Sequence, residues 1–296
     1  MKRMKWFMWA ATVLALSTMT GVAARAQAPS PAPPTNPAPP APATGQQDKA
    51  QTPAMEPLTL DTGQPPVNAE EDAAIKSYRD APLDNLPSKL KLGEDFLKKY
   101  PTSRYRVEVY SFQVRGYMAT GQLDKMQEAG LKVLELVPDD AQTMSILGSS
   151  LPRSMPNNLT EEQKTKLLSD AEGYSKKALE LVPTLQKPAG ISDEQFLQAK
   201  NQISAMAYGG LGLVSFRRAK FSDAIPNLEQ SAKYDPNPDP VIYFVLGISN
   251  EKASHFDDAV TAFTKCAALQ SSLANTCNKG IEEAKKLGAT QMSVPK

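Results

Sequence analysis

The sequence AMAYGGLGLVSFRRAKFSDAIPNLEQSAKYDP at residues 205–236 is followed by PVIYFVLGISNEKASHFDDAVTAFTKCAALQS at residues 240–271, and the two stretches repeat one pattern. Aligned at a separation of 35 residues, they place small residues on small ones and large apolar residues on each other. The matched pairs are Tyr208 with Tyr243, Leu211 with Leu246, Gly212 with Gly247, Ala224 with Ala259, and Leu228 with Phe263. Small residues at a fixed interval let two antiparallel helices approach closely, so each stretch is predicted to form a helix pair.

Upstream, helices are predicted to end at prolines. Lys132–Pro138 reads KVLELVP and Lys177–Pro183 reads KALELVP, so six of the seven positions are identical. Glu94–Pro101 and Gln230–Pro236 have the same character, a helical pattern stopped by proline. Proline cannot continue a helical hydrogen-bond ladder, so four helix ends are expected at these places.

This pattern resembles the tetratricopeptide repeat (TPR), a helix–turn–helix unit of about 34 residues. The resemblance implies an all-α, TPR-like solenoid of helix pairs over residues 67–288, with a short tail at 289–296. We place its five units at residues 68–101, 107–140, 141–183, 205–238 and 240–273. The first unit is degenerate and keeps mainly its second helix. The alternative is a helical bundle without stacked repeats.

The third and fourth units contain inserts. Ser149–Leu159 contains two prolines and is predicted to be a loop. Thr160–Gln163 and Ser192–Gln195 each have a hydroxyl residue followed three positions later by glutamine, which indicates a capping box at a helix start. The second box predicts that the insert before the fourth unit lengthens that unit's first helix.

Two helix boundaries near the C-terminus are also predicted. Pro226 is expected in the first turn of its helix, with Ser222 or Asp223 as N-cap, because a missing N–H costs little there. Ala274–Leu287 is predicted to be an amphipathic capping helix that ends before Gly288.

The N-terminal residues predict export. Residues 1–26 combine a basic start, an apolar run and an Ala-Arg-Ala end, which is typical of a cleaved signal peptide. The alternative is an uncleaved membrane anchor. Residues 27–66 are rich in proline and alanine and contain no aromatic residue, so they are predicted to be a disordered linker that acts as an extended spacer.

The composition restricts the classes of function. The 296 residues include one histidine, His255, and two cysteines, too few for a Cys/His zinc site. The formal charge of +1 argues against a strongly basic nucleic-acid-binding protein. No Ser/His/Asp set, metal cluster or nucleotide loop is present in the sequence, so we expect no enzyme activity, no metal and no cofactor.

Cys266 and Cys277 are predicted to lie on facing helices. Cys266 occupies a small-residue position of the last unit, and Cys277 lies one turn into the capping helix. A disulfide there suits an exported protein and would contribute about 2–3 kcal/mol by the chain-entropy argument. The alternative is two buried free thiols.

The TPR resemblance also implies a binding groove on the concave face, lined by first-helix residues. The matching positions are Met206, Leu213, Phe216 and Arg217 in the fourth unit, Val241, Phe244, Ile248 and Glu251 in the fifth, and Glu108, Ser111 and Arg115 in the second. The Lys/Asn set with which some TPR proteins hold a terminal carboxylate is not present at Ser111 and Arg115. The alternative is that several of these side chains contact a neighbouring helix instead.

Together these features predict an exported scaffold of the periplasm or bacterial cell envelope that binds another protein or a peptide. Nucleic acid is not expected as a partner, and the membrane only through an uncleaved signal. One alternative is a small-ligand-binding or enzymatic helical protein that uses insert 149–159 or 184–191 as a lid. Another is self-assembly through the degenerate first unit.

Overall fold

The computed structural model describes residues 68–235, 237–269 and 271–292. The predicted signal peptide, the linker and residues 293–296 of the tail lie outside the described residues. Within them the secondary structure is helical and no strand occurs. The helices are α1 (Ala69–Asp80), α2 (Leu86–Lys99), α3 (Arg106–Ala119), α4 (Leu123–Leu136), α5 (Ala141–Ser150), α6 (Glu161–Leu181), α7 (Asp193–Arg217), α8 (Phe221–Tyr234), α9 (Pro240–Lys252), α10 (Phe256–Ala268) and α11 (Ala274–Met292), with a 3₁₀ turn at Val182–Thr184.

Side-chain caps start several of these helices where the sequence places Asn, Asp, Ser or Thr. The hydroxyl groups of Thr160 and Ser192 accept the backbone N–H of Gln163 and Gln195, and each glutamine side chain accepts the N–H of the cap residue. Both predicted capping boxes are therefore present. The second one begins α7, whose 25 residues include the predicted extension.

The helices form successive pairs, and the two best-matched pairs have equivalent interiors. A Cβ atom built on Gly212 of α7 would lie 2.6 Å from the Leu228 side chain of α8. One built on Gly247 of α9 would lie 2.6 Å from the Phe263 ring of α10. Ala224 and Ala259 are both completely buried. The small-against-large packing predicted from the 35-residue offset is confirmed, and the fold is TPR-like.

Three local predictions differ from the structure. The first unit contains both of its helices, α1 as well as α2. Helix α8 has Lys220 as its N-cap, so Pro226 lies in its second turn and leaves the Ser222 carbonyl without its helical donor. Helix α11 continues through Gly288 to Met292, because Gly288 packs on Phe256 of α10.

One junction departs from the regular pairing. Helix α5 packs directly against α7, which gives the most extensive contact between described helices that are not consecutive. A Cβ atom on Gly210 of α7 would lie 2.7 Å from the carbonyl oxygen of Gly148 in α5. The buried hydroxyl of Ser175 in α6 lies against both glycines and has no hydrogen-bond partner among the described residues. Two helix backbones and a small side chain therefore meet at this point.

Candidate functional site

Five of the predicted groove residues are apolar and partly exposed, and all five lie on first helices α7 and α9. We call this set the first-helix face; its members are Met206, Phe216, Val241, Phe244 and Ile248. The Phe216 ring lies 5.8 Å from the Phe221 ring, and the Phe244 ring lies 6.2 Å from the Phe263 ring. The inner edges of these side chains therefore pack on the core while the outer edges contact solvent.

Two other predicted groove residues are mostly withdrawn from solvent. Leu213 is 4% exposed and packs in the core with Ala224 and Leu228. For this residue the alternative to a groove position applies, because its side chain contacts neighbouring helices. The Glu251 side chain is 10% exposed, and its carboxylate lies 3.3 Å from the Lys252 ammonium group. Leu213 therefore belongs to the core cluster against which Phe216, Val241 and Phe244 of the first-helix face pack.

Arg217 holds the loop that follows α5. Its guanidinium Nε donates to the carbonyl oxygen of Pro152 at 2.9 Å, and Pro152 is almost fully buried. The next residue, Arg153, forms an ion pair with Asp239, the N-cap of α9. The predicted loop at Ser149–Leu159 is present from Leu151 onward, whereas Ser149 and Ser150 still belong to α5. These two contacts fasten Pro152 to α7 and Arg153 to the start of α9.

Asp239 is held in its charged form. Burial by itself raises the pKa of the Asp239 carboxyl, but the Arg153 guanidinium and the hydrogen bond from the Val241 N–H outweigh this effect. The pKa of Asp239 is therefore lower than that of an ordinary aspartate. The loop attachment consequently depends on a carboxylate that is ionised at neutral pH.

The lowered pKa gives a prediction about acid stability. A group whose pKa is lower in the folded state stabilises the fold fully above its unfolded pKa, and this contribution is lost as the pH falls through the folded pKa. Asp239→Asn keeps a capping side chain but removes the charge. Because the Asp239 side chain is 42% exposed, we expect the variant to be only about 0.5–1 kcal/mol less stable at pH 7.

This stability difference should stay constant between pH 7 and about pH 5 and shrink toward zero below about pH 3.5. Urea unfolding of both proteins across this range measures it. A difference that does not change with pH would show that the ion pair contributes nothing to stability.

The predicted residues of the second unit lie on α3, away from α9. Arg115 is exposed, and its guanidinium lies 3.4 Å from the Gln142 side-chain oxygen of α5. Glu108 binds the Arg79 guanidinium of α1 through two hydrogen bonds of 2.8 and 2.6 Å. These side chains bridge neighbouring pairs, and the structure does not bring them together with the first-helix face of α7 and α9.

The two cysteines are joined in the structure. Cys266 of α10 and Cys277 of α11 form a disulfide with a Cα–Cα distance of 6.0 Å. Both residues are fully buried, beside Phe263 and Ala284. In this state the covalent bond fastens α11 to the last helix pair. His255, in the turn before α10, is exposed.

The structure also contains a cleft that the sequence analysis did not anticipate. It has a volume of about 260 Å³ and lies between α8, α9 and α10. Its lining includes Tyr243, Leu246 and Asn250 of α9, which lie on a different side of that helix from Phe244 and Ile248. The available signal was Asn250 itself, a polar residue at the end of the largely apolar stretch 240–250.

Within residues 68–235, 237–269 and 271–292, no group of three or more His, Cys, Asp and Glu side chains is placed to hold a metal ion. No helix in this part combines the length and the apolar character needed to cross a bilayer.

Comparisons with known proteins yield similar folds only. No protein-family model and no curated protein sequence matches the chain. PilW, a widely conserved type IV pilus biogenesis factor, is 17% identical with a TM-score of 0.46 over 77% of this chain and 96% of its own. The MamA protein is 21% identical with a TM-score of 0.37, over 62% and 88%. Residues 1–338 of Acl4, an assembly chaperone of RpL4, are 12% identical with a TM-score of 0.38, over 76% and 99%.

The TPR-like character of this chain is established by its own repeated helix pairs and by the equivalent contacts of Gly212 and Gly247.

Proposed function

We propose that this chain is a protein–protein interaction scaffold of the bacterial cell envelope that binds a segment of a partner protein on its first-helix face. The observation that carries the proposal is the partial exposure of Phe216, Val241, Phe244 and Ile248 on two consecutive first helices. Aromatic side chains that are held firmly and remain partly open to solvent are the usual anchors of protein interfaces. Arg217 of α7 and Glu251 of α9 lie on the same two helices and add one charge of each sign.

The envelope location rests on the sequence. The signal-like residues 1–26 and the Pro/Ala-rich residues 27–66 predict export followed by a spacer that holds the helical part away from a surface. The attachment of the α5–α6 loop through Arg217 and Arg153 disfavours the alternative in which insert 149–159 opens freely as an enzyme lid.

Affinity capture from envelope extract with the full chain tests the proposal. We expect the wild-type chain to retain a specific partner that the Phe216→Ala, Phe244→Ala double variant does not. Leu92→Ala with Leu131→Ala is the matched control, because these leucines of α2 and α4 are also exposed and apolar but lie outside the first-helix face.

The captured partner should then be purified and titrated against all three proteins. We expect affinity at least tenfold lower for the phenylalanine variant and within twofold of wild type for the leucine variant, since truncating a buried interface anchor typically costs more than about 1 kcal/mol. Circular dichroism confirms that each variant is folded. Equal affinity of the wild-type chain and the phenylalanine variant would refute binding at this face.

A further inference from the structure

The cleft between α8, α9 and α10 has an apolar floor and a charged rim. Its floor includes Leu246, Ala262 and Asn250, which are 7%, 3% and 2% exposed. Its rim carries exposed groups of both charges, namely Glu229 and Lys233 of α8 with Asp258 and Lys265 of α10. Neither the first-helix face nor the α5–α6 loop contributes to this lining.

Asn250 is the most informative residue of the floor. The residue is only 2% exposed, and its side-chain amide makes no hydrogen bond to any other described residue. The amide does not belong to the fully enclosed polar groups without a partner, so its atoms open onto the cleft. Buried polar groups in native proteins are almost always hydrogen-bonded, to protein, water or a ligand. A carboxamide offers one acceptor and two donors, which match the C=O and N–H groups of a peptide bond. The Asn250 carboxamide at the base of the cleft is therefore free to form hydrogen bonds with a peptide bond of a ligand.

The rim charges are also unused. Elsewhere in the described helices, opposite charges four residues apart pair directly, as in Lys91–Asp95 at 2.6 Å and Lys166–Asp170 at 2.7 Å. Glu229 and Lys233 have the same spacing but form no ion pair with any described residue. The same holds for Asp258 and Lys265, although the Lys265 ammonium lies 5.6 Å from the centre of the Tyr243 ring. These four groups remain available to a ligand.

The order of the charges gives the cleft a direction. Helices α8 and α10 run the same way because each is joined to α9 by a short connection. On both helices the carboxylate precedes the lysine, so on each helix the carboxylate lies nearer to the same end of the cleft than the lysine of that helix does. At about 1.5 Å per residue, the separation of acid and base along the axis is about 6 Å on α8 and about 10 Å on α10.

These dimensions fit a short peptide with free ends. Extended chain spans about 3.3–3.6 Å per residue, so two or three residues cover about 7–11 Å. We propose that the cleft binds a free dipeptide or tripeptide. Its α-ammonium group lies at the Glu229/Asp258 end, its carboxylate at the Lys233/Lys265 end, and a peptide bond on the Asn250 amide. This activity is separate from the partner binding proposed above.

Titration of the full chain with trialanine, followed by calorimetry, tests the proposal. We expect saturable binding with a Kd of about 1 mM or lower. N-acetyl-trialanine and trialanine amide, which each lack one terminal charge, should bind at least tenfold more weakly. Absence of saturation up to about 10 mM overturns the proposal. Equal binding of the capped peptides also overturns it, because the cleft would then recognise a segment within a longer chain.

Variants assign the binding to the cleft. Asn250→Leu keeps the side-chain volume but removes the amide, and should weaken trialanine binding at least tenfold. Asn227→Leu is the matched control, because the Asn227 amide bonds to the Asp223 carbonyl of its own helix and does not line the cleft. Lys265→Ala, at an exposed position, should also weaken binding. Wild-type affinity in Lys265→Ala or in a folded Asn250→Leu variant contradicts the assignment.

Discussion

Replacement of Phe263 by alanine is expected to lower the free energy of unfolding by about 3–5 kcal/mol. The Phe263 ring is 1% exposed and lies between two glycines, Gly247 of α9 and Gly280 of α11. Cβ atoms built on these glycines would lie 2.6 and 2.9 Å from the ring. Because glycine backbone on two sides of the ring carries no side chain, neither Gly247 nor Gly280 can fill any part of the cavity left by the ring.

The repeat supplies a matched comparison. Leu228 occupies the position of Phe263 in the preceding pair, so Phe263→Leu should cost only about 1–2 kcal/mol. Phe221→Ala, at the half-buried first residue of α8, should cost less than Phe263→Ala. Chemical denaturation of the three variants measures these differences. If Phe263→Ala were no more destabilising than Phe221→Ala, the ring would not be enclosed as the structure shows.

The second large effect is expected at the junction of α5, α6 and α7. Gly210→Ala should destabilise the chain by about 3 kcal/mol or more, at the upper end of the usual cost of overpacking. Its new methyl group would lie 2.7 Å from the carbonyl oxygen and 2.8 Å from the carbonyl carbon of Gly148. A backbone carbonyl cannot rotate away as a flexible side chain can, so α5 and α7 have to separate.

Gly173→Ala in α6 is the control for this substitution. Apart from the neighbouring residues and backbone of its own helix, nothing lies within 4 Å of a Cβ built there, and the residue lies inside α6. Alanine is a better helix former than glycine by about 1 kcal/mol, so Gly173→Ala should stabilise the chain. Thermal and urea unfolding should therefore show a lower stability for Gly210→Ala and a higher stability for Gly173→Ala than for the wild type. A Gly210→Ala variant as stable as the wild type would show that the backbones are not in contact.

The regular part of the fold could be predicted from the sequence because its determinants are local or periodic. Gly212 and Gly247 recur at a fixed interval, and each receives the large side chain that the offset assigns to it. The capping boxes at Thr160 and Ser192 are also local, because the cap and its glutamine are three residues apart.

The features that the sequence did not predict depend on contacts between distant residues. Helix α11 passes Gly288 because that glycine rests on Phe256, and a glycine signal alone does not distinguish a helix end from a close contact. Leu213 matches a groove position by its offset, yet its side chain is enclosed between α8 and α9. The cleft around Asn250 forms only when three helices assemble, so no single stretch of sequence marks its lining.

The meeting of Gly148 and Gly210 has a consequence for cooperativity. In a chain of repeats that contact only their neighbours, unfolding can begin at one pair and leave the others intact. Here the backbone of the third unit contacts the backbone of the fourth at Gly148 and Gly210, so neither unit can unfold without breaking this contact. The centre of the protein should therefore melt as one block, while the outer pairs retain the freedom to fray.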